Sequence, residues 1–254
     1  MNVYQALTYE FLRATIGPAV SLALRLHGEG EGNIPAEGGA LIVSNHRNPI
    51  IDPTSIALRC ERPVNFMAAS VAFSIPGVGQ TFKAIGARPM DVFGGQKSKQ
   101  NIEEAVDLVK DGELVGVFPE GVHTIAHPHT VSKIRTFRTG FARIALEAKA
   151  PIIPVAVIGR RERNLPTIPP WMVKPFFDHP EFQEGVHWTY YSRVFVRIGY
   201  PLDLSGYYDQ DMTKEEISQI SGKVRRVIIK LYNGEDMDRF LTGELPFDIA
   251  YDRV

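Results

Sequence analysis

A histidine and an aspartate follow an apolar, β-prone run in the first quarter of the chain. Residues 40–44 form that run, and His46 and Asp52 come directly after it. A neutral imidazole can accept a proton near physiological pH, and a neighbouring carboxylate would fix its tautomer and stabilise the cation. The pair therefore predicts a general base. An alternative is structural, with His46 and Asn45 capping the following helix. Asp52 would then pair with Arg47.

A glutamate occupies a similar position after a second apolar run. Residues 114–118 are followed by Pro119, Glu120 and Gly121, and a glycine here permits a tight backbone and the close approach of a ligand. Glu120 could orient the head group of a substrate, hold basic residues in place, or serve as a turn carboxylate in a surface ion pair. Ligands of α/β proteins favour the carboxyl ends of strands, so we expect both motifs to outline one site.

Basic residues are concentrated downstream of this second motif. Arginine forks bind phosphate in a bidentate manner, although a solvated charged face is the default interpretation of such a cluster. Arg138 is the favoured phosphate ligand because Thr139 and Gly140 follow it. The cluster consists of Lys133, Arg135, Arg138, Arg143, Arg160, Arg161 and Arg163.

A metal site is not expected from the histidines that follow Glu120. His123 and His127 have helical spacing, but Gly121 and Pro128 disfavour a continuous helix there, and no glutamate follows His123 as in a zinc protease motif. We therefore expect no metal and no resident cofactor. The chain also lacks the nucleophile motif of α/β-hydrolases and the glycine-rich loop of P-loop enzymes.

Strand-like and helix-like segments alternate along the chain, which predicts an α/β fold with a layered, mostly parallel sheet flanked by helices. Segment 164–188 is rich in proline and aromatic residues and is expected to be a structured excursion rather than a second domain. The strand-like runs are 40–44, 64–68, 114–118, 152–158 and 193–198, and the helix-like stretches are 54–60, 99–111, 139–149 and 213–232.

Composition restricts the class of protein. The 254 residues are 44% hydrophobic, which suffices for a sizeable core. A formal net charge of −1 argues against a general nucleic-acid binder. Cys60 is the single cysteine, so an intramolecular disulfide is excluded.

The N-terminal segment is apolar but too short to span a bilayer. Residues 11–26 contain Pro18 and are bracketed by Arg13 and Arg25, whereas a spanning helix needs about 20 apolar residues. We expect one or two short helices that either pack on the domain or lie in a membrane interface with the arginines toward the head groups. The expected division is thus an interfacial, amphipathic helical segment, 1–27, and a catalytic domain, 28–254.

Eight ordered sequence blocks, spread over about two thirds of the chain, resemble the glycerolipid acyltransferase family. The branch is that of the lysophosphatidic acid (1-acyl-sn-glycerol-3-phosphate) acyltransferases. Each block alone would be a weak signal, but their order and approximate spacing all match. They are Gly28 to Pro35, Ser44-Asn45-His46-Arg47, Phe66-Met67-Ala68, Gly86 to Asp91, Phe118-Pro119-Glu120-Gly121, Phe137-Arg138-Thr139-Gly140, Ile153 to Gly159 and Val196 to Leu202.

The resemblance implies a glycerol-3-phosphate acyltransferase-like fold and a mechanism. His46, supported by Asp52, would remove a proton from the hydroxyl of a lysophospholipid, and the oxygen would attack an acyl thioester of coenzyme A or acyl carrier protein. No covalent acyl-enzyme would form. The resemblance also implies a peripheral or monotopic location on the cytoplasmic face of a membrane. The implied substrate-binding residues are Arg88, Glu120, Gly121 and Arg138.

The chain departs from the family pattern at four positions. Five residues rather than four separate His46 from Asp52, so either one residue bulges or the carboxylate arrives from another angle. Three basic positions of the expected acceptor site are also replaced, so an acceptor other than lysophosphatidic acid becomes possible. Val92 stands for an arginine, His123 for the arginine of Gly-Thr-Arg, and Ala69 for a lysine.

These departures leave alternatives to a lysophospholipid acyltransferase. One is an acyltransferase whose acceptor is an alcohol without phosphate. Another is a non-catalytic protein that binds lipids or acyl thioesters. A metal-dependent hydrolase using His123, His127, Glu120 and Asp52 is the most remote.

Overall fold

A seven-stranded, mostly parallel sheet forms the centre of the computed structural model, which describes residues 1–91, 96–121, 124, 134–176, 180–235 and 237–242. The strand order is β1-β7-β6-β2-β5-β3-β4. The strands are β1 His27–Glu29, β2 Ala40–Ser44, β3 Val64–Ala69, β4 Arg88–Met90, β5 Leu114–Val117, β6 Ile152–Asn164 and β7 Thr189–Ile198.

The central strands are buried on both faces, which is why they are continuous apolar runs. Every residue of β2 and β5 is buried, as is typical of parallel strands covered by helices on both sides. β2 pairs in parallel with β5 and with β6. The register places Val43 opposite Val117, so β2 and β5 end side by side. The loops that carry His46 and Glu120 therefore leave the sheet next to each other.

Helices cover both faces of the sheet. One face packs on α5, Gln96–Lys110, α6, Gly140–Ala148, and α8, Lys214–Asn233, whose apolar stripes join a common core. The other face packs on residues of the N-terminal segment and of α3, Ile51–Ala57. Within the described residues, the remaining helices are α1 Val3–Thr15, α2 Gly17–Ala23, α4 Val78–Ala84, α7 Pro170–Val173 and α9 Met237–Thr242.

The expected α/β architecture is confirmed, but several elements differ from what the sequence predicts. β6 and β7 are longer than expected, because residues 159–164 pair antiparallel with 189–194 as a hairpin beyond the main sheet. β1 and β4 were not expected, since three residues are too few to show a periodicity. The expected helix 54–60 is wrong by three residues, because α3 already begins at Ile51.

The excursion between β6 and β7 has a small core of its own. Val173 and Phe182 are buried there, and Ile168 pairs with Val186 across the segment. These contacts agree with a structured excursion on the domain.

The N-terminal helices pack on the domain with one face and expose an apolar face. Tyr9 is buried, and the Gln5 side chain donates to the carbonyl of Lys83. On the opposite side of α1 the apolar side chains are 66–77% exposed; they belong to Val3, Tyr4, Leu7 and Phe11. Among the described helices, none is long and apolar enough to cross a bilayer.

Arg62 joins the loops that precede β2 and β5, at the amino ends of these strands. Its guanidinium donates to the carbonyls of Pro35 (2.7 Å), Gly38 (2.9 Å) and Gly112 (2.6 Å). We expect Arg62→Ala to lower the free energy of unfolding by about 2 kcal/mol, because charged hydrogen bonds are lost and the carbonyls lose their partner. Urea denaturation measures the change. An unaltered midpoint would contradict this role, and Arg62→Lys, with fewer donors, should fall between the two.

Candidate active site

The end of β2 is held to β6 by a paired amide. Asn45 Oδ1 accepts the N–H of Val157 (2.8 Å), and Asn45 Nδ2 donates to the carbonyl of Val157 (2.9 Å). Both Asn45 and Val157 are buried. The alternative in which Asn45 caps the next helix is therefore wrong, because the Asn45 side chain satisfies a main-chain donor and acceptor where β2 leaves the sheet.

His46 and Asp52 form the expected pair. His46 Nδ1 lies 3.0 Å from Asp52 Oδ2, and both side chains are buried. The same carboxylate oxygen accepts the main-chain N–H groups of Arg47 (2.7 Å) and Asn48 (2.8 Å). Because the carboxylate is an acceptor, Nδ1 carries the proton and Nε2 is the nitrogen left to accept one.

Asn48 allows five residues to fit between His46 and Asp52. Its Oδ1 accepts the N–H groups of Ile50 (2.9 Å) and Ile51 (2.7 Å), which are otherwise unsatisfied at the start of α3. Its Nδ2 donates to the carbonyl of Thr189 on β7 (2.6 Å). The extra residue thus lies in a turn stabilised by Asn48, and Asp52, in the first turn of α3, still reaches the imidazole.

The β6–β7 hairpin supports the other side of this loop. Arg47 contacts Asp52 through its main chain, while its guanidinium forms an ion pair with Glu162 on the extended part of β6 (3.0 Å). Tyr191, on β7, is buried close to Asp52, Arg47 and Glu162. Burial, and secondarily the charge of Asp52, raises the pKa of the Tyr191 phenol, which therefore remains protonated.

An aromatic stack sets the plane of the imidazole. The ring centroid of Phe118 lies 4.0 Å from that of His46 with an interplanar angle of 20°, and Phe66 stacks behind Phe118 at 5.8 Å. A Cβ on Gly116 would lie 2.5 Å from the Phe66 ring, so a glycine is required there. The imidazole is thereby fixed by Asp52 at one nitrogen and by Phe118 at one face.

Glu120 is buried and holds main-chain groups of two loops. Its Oε1 accepts the N–H of His46, and its Oε2 accepts the N–H of Arg135, each at 2.8 Å. Burial raises the pKa of the Glu120 carboxyl, and the two N–H donors act against that rise. The alternative of a surface ion pair is wrong, whereas the expectation that Glu120 holds a basic segment in place agrees with the Arg135 contact.

Gly121 and Arg138 lie against each other beside Glu120. Gly121 has φ of +81°, and a Cβ there would lie 3.1 Å from Arg138 Nε. The N–H of Arg138 donates to the carbonyl of Pro119 (2.9 Å). Because Gly121 has no side chain, the guanidinium of Arg138 can pack directly against its backbone. The exposed Arg138 therefore lies at the end of β5.

Arg88 is kept apart from the other expected residues. It lies on β4, three strands from β2, or about 14 Å at ordinary strand spacing. Its guanidinium lies 3.5 Å from the carboxylate of Glu104 on α5. The structure therefore brings together His46, Asp52, Glu120, Gly121 and Arg138 but not Arg88.

Some sequence-based expectations concern residues outside the described part of the chain. Val92, His123, His127 and Lys133 belong to this group. Within the described part, no three His, Cys, Asp or Glu side chains form a group that could hold a metal ion. Of the remaining basic cluster, the residues Arg135, Arg143, Arg160, Arg161 and Arg163 are exposed.

Sequence reasoning did not identify three residues that shape the site. Asn48 lies between His46 and Asp52, and Phe118 directly precedes Pro119-Glu120. Their closeness in sequence to His46 and Glu120 could have indicated that they contribute to the site. Glu162 had none, because it is 115 residues from its partner Arg47.

Comparison with known proteins assigns the chain to a family. The model of the family described as Acyltransferase matches residues 25–158, just over half of the chain. The chain belongs to the acyltransferase family. The matched region contains every residue expected at the site.

Relatives of this acyltransferase family member include bacterial and mammalian proteins. An uncharacterized protein of Mycobacterium tuberculosis is 31% identical over 147 residues, which are 54% of this chain and 38% of that protein. The 1-acyl-sn-glycerol-3-phosphate acyltransferase of Bacillus subtilis is 29% identical over 127 residues, 50% of this chain and 59% of that enzyme. The human DGAT1/2-independent enzyme synthesizing storage lipids is 27% identical over 201 residues, 73% and 55% of the two chains.

A solved structure shares the fold. The 1-acyl-sn-glycerophosphate (LPA) acyltransferase of Thermotoga maritima superposes with a TM-score of 0.58 over 88% of this chain and 79% of that one, at 22% identity. This chain spans less than two fifths of the length of each mycobacterial relative that it matches.

We expect the stability of the protein to depend on the ionisation of Glu120. Because burial raises its pKa, the folded protein retains a proton that the unfolded chain has already released. The glutamine side chain of Glu120→Gln cannot titrate. The free energy of unfolding of the wild-type protein, measured relative to that of Glu120→Gln, should therefore fall as the pH rises from about 4 toward 7. Urea denaturation across this range measures the difference.

The matched control is Glu147→Gln, because Glu147 is an exposed glutamate on α6. It sets the background against which the pH dependence of Glu120→Gln is compared. A wild-type advantage over Glu120→Gln that grows with pH would contradict the raised pKa.

Proposed function

We propose that the protein is an O-acyltransferase that moves a fatty acyl group from an acyl thioester to the hydroxyl of a lysophospholipid, most directly 1-acylglycerol-3-phosphate. The observation that carries the proposal is the buried His46–Asp52 pair at the carboxyl end of β2. A base oriented in this way suits the deprotonation of an alcohol. The family supports acyl transfer as the reaction.

The geometry supports direct transfer in one sequence of proton and acyl movements. His46 Nε2 takes the proton of the acceptor hydroxyl, and the imidazolium is stabilised by Asp52 through Nδ1. The acceptor oxygen forms a bond to the thioester carbonyl carbon, and the carbon–sulfur bond breaks. The departing thiolate takes the proton from His46, so an ester and a free thiol are released and the base is regenerated.

Glu120 acts in this proposal on the enzyme rather than on the substrate. Both of its oxygens accept main-chain N–H groups, from His46 and from Arg135. We therefore assign it the positioning of the His46 loop. Arg138, exposed at the end of β5 and packed on Gly121, is the residue to which we assign the acceptor phosphate. The site needs no cofactor for this chemistry, since the thioester of coenzyme A or acyl carrier protein is a co-substrate.

The second candidate acceptor is a neutral glyceride. Arg88 lies close to Glu104, and Ala69 stands where relatives of the lysophosphatidic acid branch commonly have a lysine, so fewer cations are available for a phosphate. The human relative is named as a storage-lipid enzyme, whereas the Bacillus relative is named for a phosphorylated acceptor. The Arg138 position favours the phosphorylated acceptor as the first choice.

We expect thiol release from palmitoyl-coenzyme A to require an acceptor and His46. His46→Ala should lower kcat by about 100-fold or more, and Asp52→Asn should also lower it strongly, since the wrong tautomer would then face the substrate. Arg138→Ala should raise the KM for lysophosphatidic acid severalfold but not that for monoacylglycerol. Arg143→Ala, an exposed arginine on α6, is the matched control.

Other results would redirect the proposal. Turnover of monoacylglycerol alone would select the neutral acceptor. Ligand binding without turnover, with either thioester donor and unaffected by His46→Ala, would instead select the non-catalytic binding protein.

We also propose that α1 binds the surface of a membrane, on its cytoplasmic face. Val3, Tyr4, Leu7 and Phe11 recur at helical spacing on the exposed side of α1, and such an apolar face suits insertion at the boundary of head groups and acyl chains. The lipid substrates would then reach the enzyme without leaving the membrane.

Replacing Leu7 and Phe11 together by glutamate should weaken vesicle binding at least about tenfold, because two large apolar side chains no longer enter the lipid. Flotation with phosphatidylcholine–phosphatidylglycerol vesicles measures this. Tyr200→Glu, at another exposed apolar residue, is the control. Undiminished flotation of the double variant would rule out α1 as the anchor.

A further inference from the structure

We propose that Arg225, on α8, is a positioning residue that holds the His46 base and Arg138 in their working places. It is 179 positions from His46 and lies outside the region matched by the family model. The proposal deepens the proposed function and rests on it for its catalytic consequences.

Arg225 holds two consecutive carbonyl groups of the segment 134–138. Its Nη2 donates to the carbonyl of Ile134 (2.5 Å), and its Nε donates to the carbonyl of Arg135 (2.7 Å). A planar guanidinium can bind two neighbouring acceptors at once, which fixes both the distance and the orientation of the peptide unit between them. A lysine at this position could not reproduce that geometry.

The segment held by Arg225 is the one that Glu120 contacts. The N–H of Arg135 donates to Glu120 Oε2, and Glu120 Oε1 accepts the N–H of His46. The peptide groups on either side of the Arg135 α-carbon are thus bound by Arg225 and by Glu120. A continuous set of hydrogen bonds runs from Arg225 to the backbone of His46.

Further contacts tie the same segment to Arg138. Ser221, one turn before Arg225 on α8, donates from Oγ to the carbonyl of Phe137 (3.3 Å). The N–H of Arg138 donates to the carbonyl of Pro119 at the end of β5. Segment 134–138 is therefore held between α8 on one side and the Glu120 loop on the other, and the Arg138 side chain leaves from its end.

α8 is a rigid support for this contact. It runs over twenty residues, begins with a capping box formed by Thr213 and Glu216, and ends at Gly234 in the left-handed conformation. Ile220, Val224 and Ile228 on its inner face are at most 1% exposed. A guanidinium mounted on such a helix has little freedom to move with the loop, so it determines the position of the loop.

Loss of the guanidinium should disturb the base more than the binding of the thioester. Without Arg225 the Arg135 N–H is no longer fixed, Glu120 loses a well-placed donor, and the His46 main chain loses a well-placed acceptor. A displacement of about 1 Å at a reacting group can lower a rate by about 100-fold. We expect kcat to fall at least about tenfold in Arg225→Ala, with a higher KM for lysophosphatidic acid and an unchanged KM for palmitoyl-coenzyme A.

The test compares Arg225→Ala with Arg62→Ala. Arg62 also holds loop carbonyls with its guanidinium, but at the amino ends of the strands. Both variants should lose stability in urea. Only Arg225→Ala should lose kcat, and millimolar guanidinium should restore part of it, whereas Arg62→Ala should stay within about twofold of wild type and show no rescue. Arg225→Lys should lie between wild type and Arg225→Ala.

Amide hydrogen exchange tests the positioning without reference to activity. In Arg225→Ala, segments 44–48 and 134–138 should exchange faster than in wild type and in Arg62→Ala. Wild-type exchange of segment 44–48 in Arg225→Ala would overturn the proposal, as would an equal loss of kcat in both variants. If wild type transfers no acyl group to any acceptor, the proposed function fails, and the exchange comparison still decides the role of Arg225.

Discussion

Buried carboxylates need N–H donors, and this requirement organises the whole candidate active site. Asp52 and Glu120 are both buried, and between them they accept four main-chain N–H groups and the imidazole of His46. An ionised carboxylate without such partners would be strongly destabilising in an apolar interior. The loops must therefore adopt the turns that present these donors, and the position of His46 follows from that.

The parallel pairing of β2 with β5 makes this arrangement possible. Both strands end at the same edge in adjacent positions, so Glu120 can reach the backbone of His46. The loop that carries His46 is also held by β6, through Asn45, and by the β6–β7 hairpin, through Glu162 and Thr189. An imidazole held from several directions has little freedom left to lose when a ligand binds, which is the property of a preorganised site.

The same architecture separates two kinds of surface. The edge that carries His46 is built from polar side chains whose partners are mostly main-chain groups, so those side chains are committed to the fold. Arg138, in contrast, is exposed at the end of β5. The exposed apolar face of α1 belongs to a helix that is attached to the domain through Tyr9 and Gln5, so it is presented in a fixed orientation.

Local patterns in the sequence determined the fold class, the two strand-end motifs and the pairing of His46 with Asp52, because these depend on residues that are neighbours along the chain. The extra residue before Asp52 did not prevent the pair, since Asn48 absorbs it with hydrogen bonds to Ile50, Ile51 and Thr189.

Only the tertiary structure decided what Glu120 and Arg88 do. The Glu120 side chain is buried and accepts N–H groups from two loops that are distant in the sequence. Arg88, on the edge strand β4, lies close to Glu104 on α5. The link from Arg225 to His46 spans most of the chain and consists of hydrogen bonds from two side chains, Arg225 and Glu120, to main-chain groups. Such bonds depend on how helices and loops pack, and main-chain groups are the same in every residue, so no pattern of side chains along the sequence records them.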